Sequence, residues 1–125
     1  IDDRMATDSM SKYDQTPVWD NRNNVAMWEQ YGGGSGVHRE ARYAAPGRED
    51  DLSGLPPACI VTAGYDPLRD EGIDYAQRPM PADVPVELHH FAGAYHAFDQ
   101  LVPDAELSRR ALDEQVHWLR EFLRP

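Results

Sequence analysis

The sequence predicts an α/β fold, and three observations carry that reading. The half of the chain after residue 57 runs strand, helix, strand, helix. Its first strand, Ala58-Cys59-Ile60-Val61-Thr62-Ala63-Gly64, is a nearly continuous apolar, β-branched run, the mark of a strand covered on both faces. Two strands joined through a helix need a crossover, which favours a parallel β-α-β unit of right hand.

Residues 1–51 are expected to form an irregular, cap-like connecting segment, and residues 52–125 the ordered β-α-β-α part. Asp, Asn, Arg, Gly and Pro dominate the first segment, and no repeat is visible. One short helix is expected from about Asn23 to Tyr31, capped by Asn23 or Asn24, with Trp28 and Tyr31 on one face. Gly32-Gly33-Gly34-Ser35-Gly36 should end it as a flexible loop, and Pro46 to Pro57 reads as a polar connector.

After the first strand, Pro67 suits a first helical position with Asp66 as the cap. Leu68, Gly72, Tyr75 and Ala76 share one face of that helix, and Pro79 and Pro81 stop it. The second strand is expected from Pro85 to Phe91, Val86 and Leu88 alternating with Glu87 and His89. A last helix should run from Asp104 to about Leu123, with a stripe of Leu112, Val116, Leu119 and Phe122 or Leu123 opposite a charged face. Two strands are too few for a parallel sheet buried on both faces. The expectation is therefore that they are the last two of a larger sheet whose earlier strands are missing.

Composition narrows the function. The 125 residues suffice for one domain with one core. There are 22 acidic against 12 basic side chains, a formal charge of −10, and the basic residues (all Arg except Lys12) are scattered. That balance argues against a nucleic-acid partner. No apolar run approaches the ~20 residues of a membrane span, and no signal-like segment opens the chain. The lone Cys59 fits a reducing, cytoplasmic compartment. A first residue of Ile1 rather than Met suggests a chain that starts inside a reading frame or after processing.

Chemistry gathers at two places. Asp66 follows the first strand and His96 the second, and in open α/β sheets functional groups collect at the carboxyl ends of strands. A carboxylate that accepts from one imidazole nitrogen fixes the tautomer and frees the other nitrogen to take a proton from a nucleophile. A plainer reading makes Asp66 a helix cap and His96 a loop histidine.

Other candidates are weaker. Cys59 reads as a small core side chain. His89 and His90 are adjacent, so they point to opposite faces of a strand and make no ready metal pair. No His or Cys stands at structural-zinc spacing. His117, beside Trp118, reads as solvated surface. Trp19, Trp28 and Tyr31 can contribute to a cap over a pocket or simply pack.

The segments Asp66-Pro67-Leu68-Arg69-Asp70-Glu71-Gly72 and Gly93-Ala94-Tyr95-His96-Ala97-Phe98 resemble the C-terminal part of hormone-sensitive-lipase-like esterases, of the α/β-hydrolase fold. Leu52-Ser53-Gly54-Leu55-Pro56-Pro57-Ala58 is similar to that family's entry to its penultimate strand, and Ile1-Asp2-Asp3-Arg4-Met5 to the segment after the strand before that. The resemblance is strong over residues 52–123 and looser over 1–51. It implies hydrolysis of small or medium acyl esters by a Ser-His-Asp triad, with Asp66 as acid, His96 as base, no cofactor and no metal. It also implies a first-turn structural role for Asp70 and Glu71 and a possible homodimer edge at Val86 to Phe91.

One departure is large. None of Ser9, Ser11, Ser35, Ser53 and Ser108 lies in Gly-x-Ser-x-Gly; at Ser35, the nearest match, Val37 replaces the second glycine. Pro79 and Pro81 also fall where the family continues a helix. Two readings therefore stand at this point. The chain is the C-terminal portion of a serine carboxylesterase, partnered by the missing N-terminal half of the same fold, or it is a non-catalytic binding piece with an open sheet edge.

Overall fold

The computed structural model describes residues 1–32 and 41–123. In chain order the elements are α1 (Asp8–Lys12), α2 (Asn21–Tyr31), α3 (Ala41–Ala44), β1 (Ala58–Tyr65), α4 (Arg69–Gln77), β2 (Val86–Tyr95), α5 (Phe98–Leu101) and α6 (Glu106–Phe122). Short 3-10 turns lie at Pro46–Arg48 and Met80–Ala82.

The strands pair in parallel, as the strand-helix-strand order predicts. Register runs in step from Ala58 opposite Val86 to Ala63 opposite Phe91, and the next pair is Tyr65 with Tyr95. Over that interval β2 uses two more residues than β1, which is a bulge. Gly64 sits at the break, where a Cβ would lie 2.0 Å from the carbonyl oxygen of Ala92, so no side chain fits. The bulge makes the two strands end side by side, and the next residues are Asp66 and His96. The expectation that the second strand stops at Phe91 is thereby corrected: Gly93 to Tyr95 belong to the strand.

Helix α4 lies close against β1. A Cβ on Gly72 would come 2.9 Å from Cγ2 of Thr62, and Gly72 and Ala76 are buried. The helix ends at Gln77, and Pro79 behind it is fully buried. Its start differs from the expected one: Pro67 and Leu68 form a turn, with Leu68 in the N-cap position. The backbone N–H of Arg69 donates to the carbonyl of Asp66 at 3.1 Å.

A small core joins Ala63, Phe91, Ala94, Phe98 and Ala111, with the Phe91 and Phe98 rings 5.5 Å apart. The face that α6 buries carries Ser108 and Ala111. The predicted stripe is not covered: Leu112, Val116, Leu119 and Phe122 are 38–45 % exposed. The pattern is amphipathic as read, but a two-stranded sheet is too narrow to pack against all of it.

The first fifty residues are more regular than expected. Besides α2 they hold α1 and α3, which at five and four residues are too short to show a period. Helix α2 starts at Asn21, and its cap is Asp20, whose side chain accepts from the N–H of Asn23 at 3.0 Å. The expected loop from Gly33 to Gly36, with Ser35, lies outside the described residues. No helix among the described residues is long and apolar enough to cross a membrane.

Candidate active site

Asp66 and His96, thirty positions apart, meet where β1 and β2 end. Nδ1 of His96 lies 2.9 Å from Oδ2 of Asp66. A carboxylate only accepts, so Nδ1 donates and Nε2 is left as the acceptor nitrogen. The other Asp66 oxygen, Oδ1, accepts the backbone N–H of Leu68 at 2.9 Å. The expected helix cap at Asp66 is thereby corrected: Leu68 is the N-cap residue, and Oδ1 of Asp66 holds the turn ahead of α4 while Oδ2 meets His96. Asp66 is 7 % exposed, whereas the His96 side chain is 31 % exposed, so the acid is enclosed and the imidazole reachable. Nε2 makes no hydrogen bond among the described residues.

A cavity of about 220 Å³ borders both groups, with Thr62, Phe98 and Gln115 in its wall. Another cavity, of about 300 Å³, lies between the chain's first residues and α4 and is lined by Asp2, Arg4, Glu71, Asp74 and Arg78. It touches neither Asp66 nor His96, and its walls offer ion pairing rather than a hydrogen-bonded base. The smaller cavity is therefore the candidate site.

Local backbone sets the aim of each group. Ala97, directly after His96, has φ +57°, a left-handed conformation that turns the chain from β2 into α5. Beyond Asp66, the rest of the first motif ties the early chain to α4. Oδ2 of Asp70 accepts the N–H of Ser9 at 2.8 Å, while the Ser9 hydroxyl donates to the Pro67 carbonyl at 2.8 Å. The N–H of Asp70 donates back to that hydroxyl at 3.0 Å. Arg69 donates to Oδ1 of Asp70 at 2.6 Å, to the Tyr13 hydroxyl at 2.9 Å and to the Gly64 carbonyl at 3.2 Å. The Arg69 hydrogen bond, ahead of any other contribution, holds the Asp70 carboxyl below the usual aspartate range. Glu71 is 5 % exposed; its Oε2 accepts the N–H of Asp2 at 3.0 Å, and burial pushes its carboxyl up.

Trp19, which the sequence offered only for a pocket cap or for packing, lies against His96, a contact sequence reasoning missed. Its ring stacks on the His96 imidazole, with centroids 5.5 Å apart and planes 27° from parallel. Trp28 instead meets Tyr31 edge to face at 5.9 Å, as their shared helix face predicts.

The remaining candidates fall elsewhere. Cys59 is only half-buried, with its thiol pushed up by burial and then by Glu87. His89 pairs with Glu87 at 3.2 Å, and Nδ1 of His90 lies 3.0 Å from the Thr62 hydroxyl. His117 is exposed. The Ser9 and Ser108 hydroxyls are engaged with backbone groups, Ser108 donating to the Phe98 carbonyl. Among the described residues no three His, Cys, Asp or Glu side chains cluster as metal ligands would.

A family model described as the alpha/beta hydrolase fold matches residues 1–100, a stretch that contains both Asp66 and His96. The chain belongs to the α/β-hydrolase family. Within it, the similarities are to esterases, consistent with the hormone-sensitive-lipase-like branch that the two motifs resemble. Esterase LipI of Mycobacterium tuberculosis is 39% identical over 90 residues, covering 72% of this chain and 28% of LipI. A carboxylesterase of the same organism, NlhH, is 52% identical over 54 residues, 43% of this chain and 17% of NlhH. Among solved structures, a bacterial heroin esterase superposes with a TM-score of 0.90 at 42% identity, over 100% of this chain and 40% of that one. The chain thus spans between 17% and 40% of the length of these relatives.

Proposed function

We propose that this chain supplies the acid and the base of a serine carboxylesterase acting on small or medium acyl esters. The single observation that carries the reading is the Asp66–His96 hydrogen bond of 2.9 Å at the carboxyl ends of adjacent parallel strands, with Nε2 unbonded among the described residues and His96 bordering a cavity. The nucleophile is assigned to sequence upstream of Ile1, because no serine of this chain stands in Gly-x-Ser-x-Gly and the relatives are much longer.

In the first half-reaction the serine Oγ attacks the ester carbonyl carbon while its proton passes to Nε2 of His96. The tetrahedral intermediate then collapses, the carbon–oxygen bond to the alcohol breaks, and the leaving oxygen takes that proton. Water repeats the sequence on the acyl-serine: its proton goes to Nε2, its oxygen to the acyl carbon, and the proton returns to the serine Oγ as the acid departs. Asp66 stabilises the imidazolium formed in each half and keeps Nδ1 protonated. Residues 1–51 serve as a cap-like segment, a role supported by the approach of Trp19 to His96. The upstream half of the fold would also pair with the sheet and cover the apolar stripe of α6.

The test is hydrolysis of a short-chain nitrophenyl ester by a polypeptide extended upstream to the length of its relatives. His96→Ala should abolish turnover. Asp66→Asn should lower kcat by about 10⁴-fold, the effect of misassigning the imidazole tautomer. A His96→Ala variant that retains most of its activity refutes the reading. Hydrolysis by residues 1–125 alone would refute the upstream nucleophile and leave the non-catalytic alternative excluded as well.

A further inference from the structure

Two residues with backbone conformations unfavourable to their side chains flank the ring contact at His96. On one side is Ala97, with φ +57°. On the other is Val18, immediately before Trp19, with φ +71°. A β-branched residue with positive φ is an outlier, because Cβ and both γ-methyls crowd the neighbouring carbonyl groups. Val18 is 51 % exposed, so burial of its own side chain does not explain the conformation.

The local hydrogen bonds show what the conformation achieves. The N–H of Trp19 donates to the carbonyl of Pro17 at 2.8 Å, closing a three-residue γ-turn around Val18. The Thr16 hydroxyl donates to the Trp19 carbonyl at 2.7 Å, and the Asn23 side-chain amide donates to the Val18 carbonyl at 3.2 Å. Asn23 is itself fixed in the first turn of α2 by Asp20. The turn is thus held from both sides, and its outcome is an indole laid on the His96 imidazole. No hydrogen bond holds that indole, since Nε1 of Trp19 is buried and finds no acceptor among the described residues. Strain maintained by its surroundings where an outlier delivers a side chain onto a reactive group points to function.

We propose that Trp19 is a positioning residue for His96: the γ-turn at Val18 delivers its ring so that the imidazole plane is held and Nε2 stays aimed into the cavity. The hydrogen bond to Asp66 fixes one ring nitrogen but leaves the imidazole free to rock about the Asp66–Nδ1 direction. A flat ring against its face removes that rocking. The inference rests on the reading of His96 as the base, and its failure is separable from the failure of that reading.

The experiment uses the extended polypeptide and a nitrophenyl ester. Trp19→Leu, which keeps an apolar side chain but removes the flat face, should lower kcat by about 10- to 100-fold, the scale of a small misplacement of a reacting group, with KM within about twofold. Trp19→Phe should restore kcat to within about threefold of the parent. A Trp19→Leu kcat equal to the parent's overturns the proposal. So does a rise in KM at constant kcat, which would make Trp19 a pocket wall, and so does a Trp19→Phe variant as slow as Trp19→Leu. If His96→Ala is inactive while Trp19→Leu is fully active, the base reading stands and only the positioning role falls. A measurement on the unsubstituted protein covers a Trp19→Leu variant that fails to fold. With 13C-labelled histidine, the His96 ring protons should show ring-current upfield shifts and cross-peaks to the Trp19 indole, and their absence overturns the proposal.

Discussion

At the scale of single residues, the meeting of Asp66 with His96 depends on a glycine that touches neither. Gly64 lets the Ala92 carbonyl approach to where a Cβ would stand only 2.0 Å away. The obstacle is backbone, so no rotamer change relieves it, and a Gly64→Ala chain must open the pairing of β1 with β2 near its carboxyl end. Overpacking normally costs about 1–3 kcal/mol, and this contact is shorter than a side-chain adjustment can absorb. We expect Gly64→Ala to lose about 3 kcal/mol or more in chemical denaturation, and, in the polypeptide extended upstream, to lose the proposed ester hydrolysis even where folded protein is recovered, because Asp66 and His96 move apart. Retention of full activity and stability would mean that the bulge does not set their separation. Val18 and Ala97 make the complementary point. Each departs from the backbone preference of its side chain, at about 1–3 kcal/mol, and each adjoins one of the two rings that stack.

At the scale of elements, the start of α4 carries two acids with opposite electrostatic behaviour. Asp70 is held low by the Arg69 hydrogen bond, with the Ser9 N–H adding to it. A depressed folded-state value means that the unfolded chain takes the proton first as pH falls. The Asp70 contribution is therefore complete above the ordinary aspartate value of about 4 and is lost as pH falls through the lower folded value. Glu71 is raised by burial, so its contribution is present below the ordinary glutamate range and is lost as pH rises through the raised value. We expect Asp70→Asn to cost about 1–2 kcal/mol at pH 7 and to flatten the acid limb, read as urea midpoints across a pH series. An unchanged acid limb would remove Asp70 from the docking of α1 on α4. These ties also mark the limit of what the sequence reveals. Asp66 and His96 are legible because each follows a strand whose apolar pattern is plain. The Asp70–Ser9 and Trp19–His96 contacts link distant segments, one of them without periodicity, so no local pattern announces them. The β2 bulge is hidden for a different reason: it turns on the approach of the Ala92 carbonyl to Gly64, a contact between strands that neither strand's own pattern shows.

At the scale of the whole molecule, the apolar stripe of α6 decides between a self-contained unit and part of a larger sheet. The sequence predicts a helix with a strong apolar side, and the helix forms, yet its buried residues are the small Ser108 and Ala111. Leu112, Val116, Leu119 and Phe122 remain between 38 % and 45 % exposed, and Trp118 stacks on Phe122 at 4.8 Å rather than on the sheet. Leu101 and Val102, before the helix, are also exposed. A stripe of large side chains is costly to leave in water: full burial of each is worth about 1.5–3 kcal/mol, of which these forgo somewhat under half, and contiguous exposed apolar surface of this kind marks an interface. This chain spans 40% or less of the relatives reported above, and on the reading proposed above the occupant is the rest of the same fold. Leu119→Ala gives the sharpest measurement, because the two situations differ in magnitude. In the extended polypeptide a covered Leu119 should cost about 2–5 kcal/mol on truncation, as buried leucines do. A Leu119 that stays in solvent should change stability by no more than about 0.5 kcal/mol. The larger loss is the expected result; the smaller one would mean that the upstream sequence does not pack on α6, and the stripe would then have to meet a separate chain.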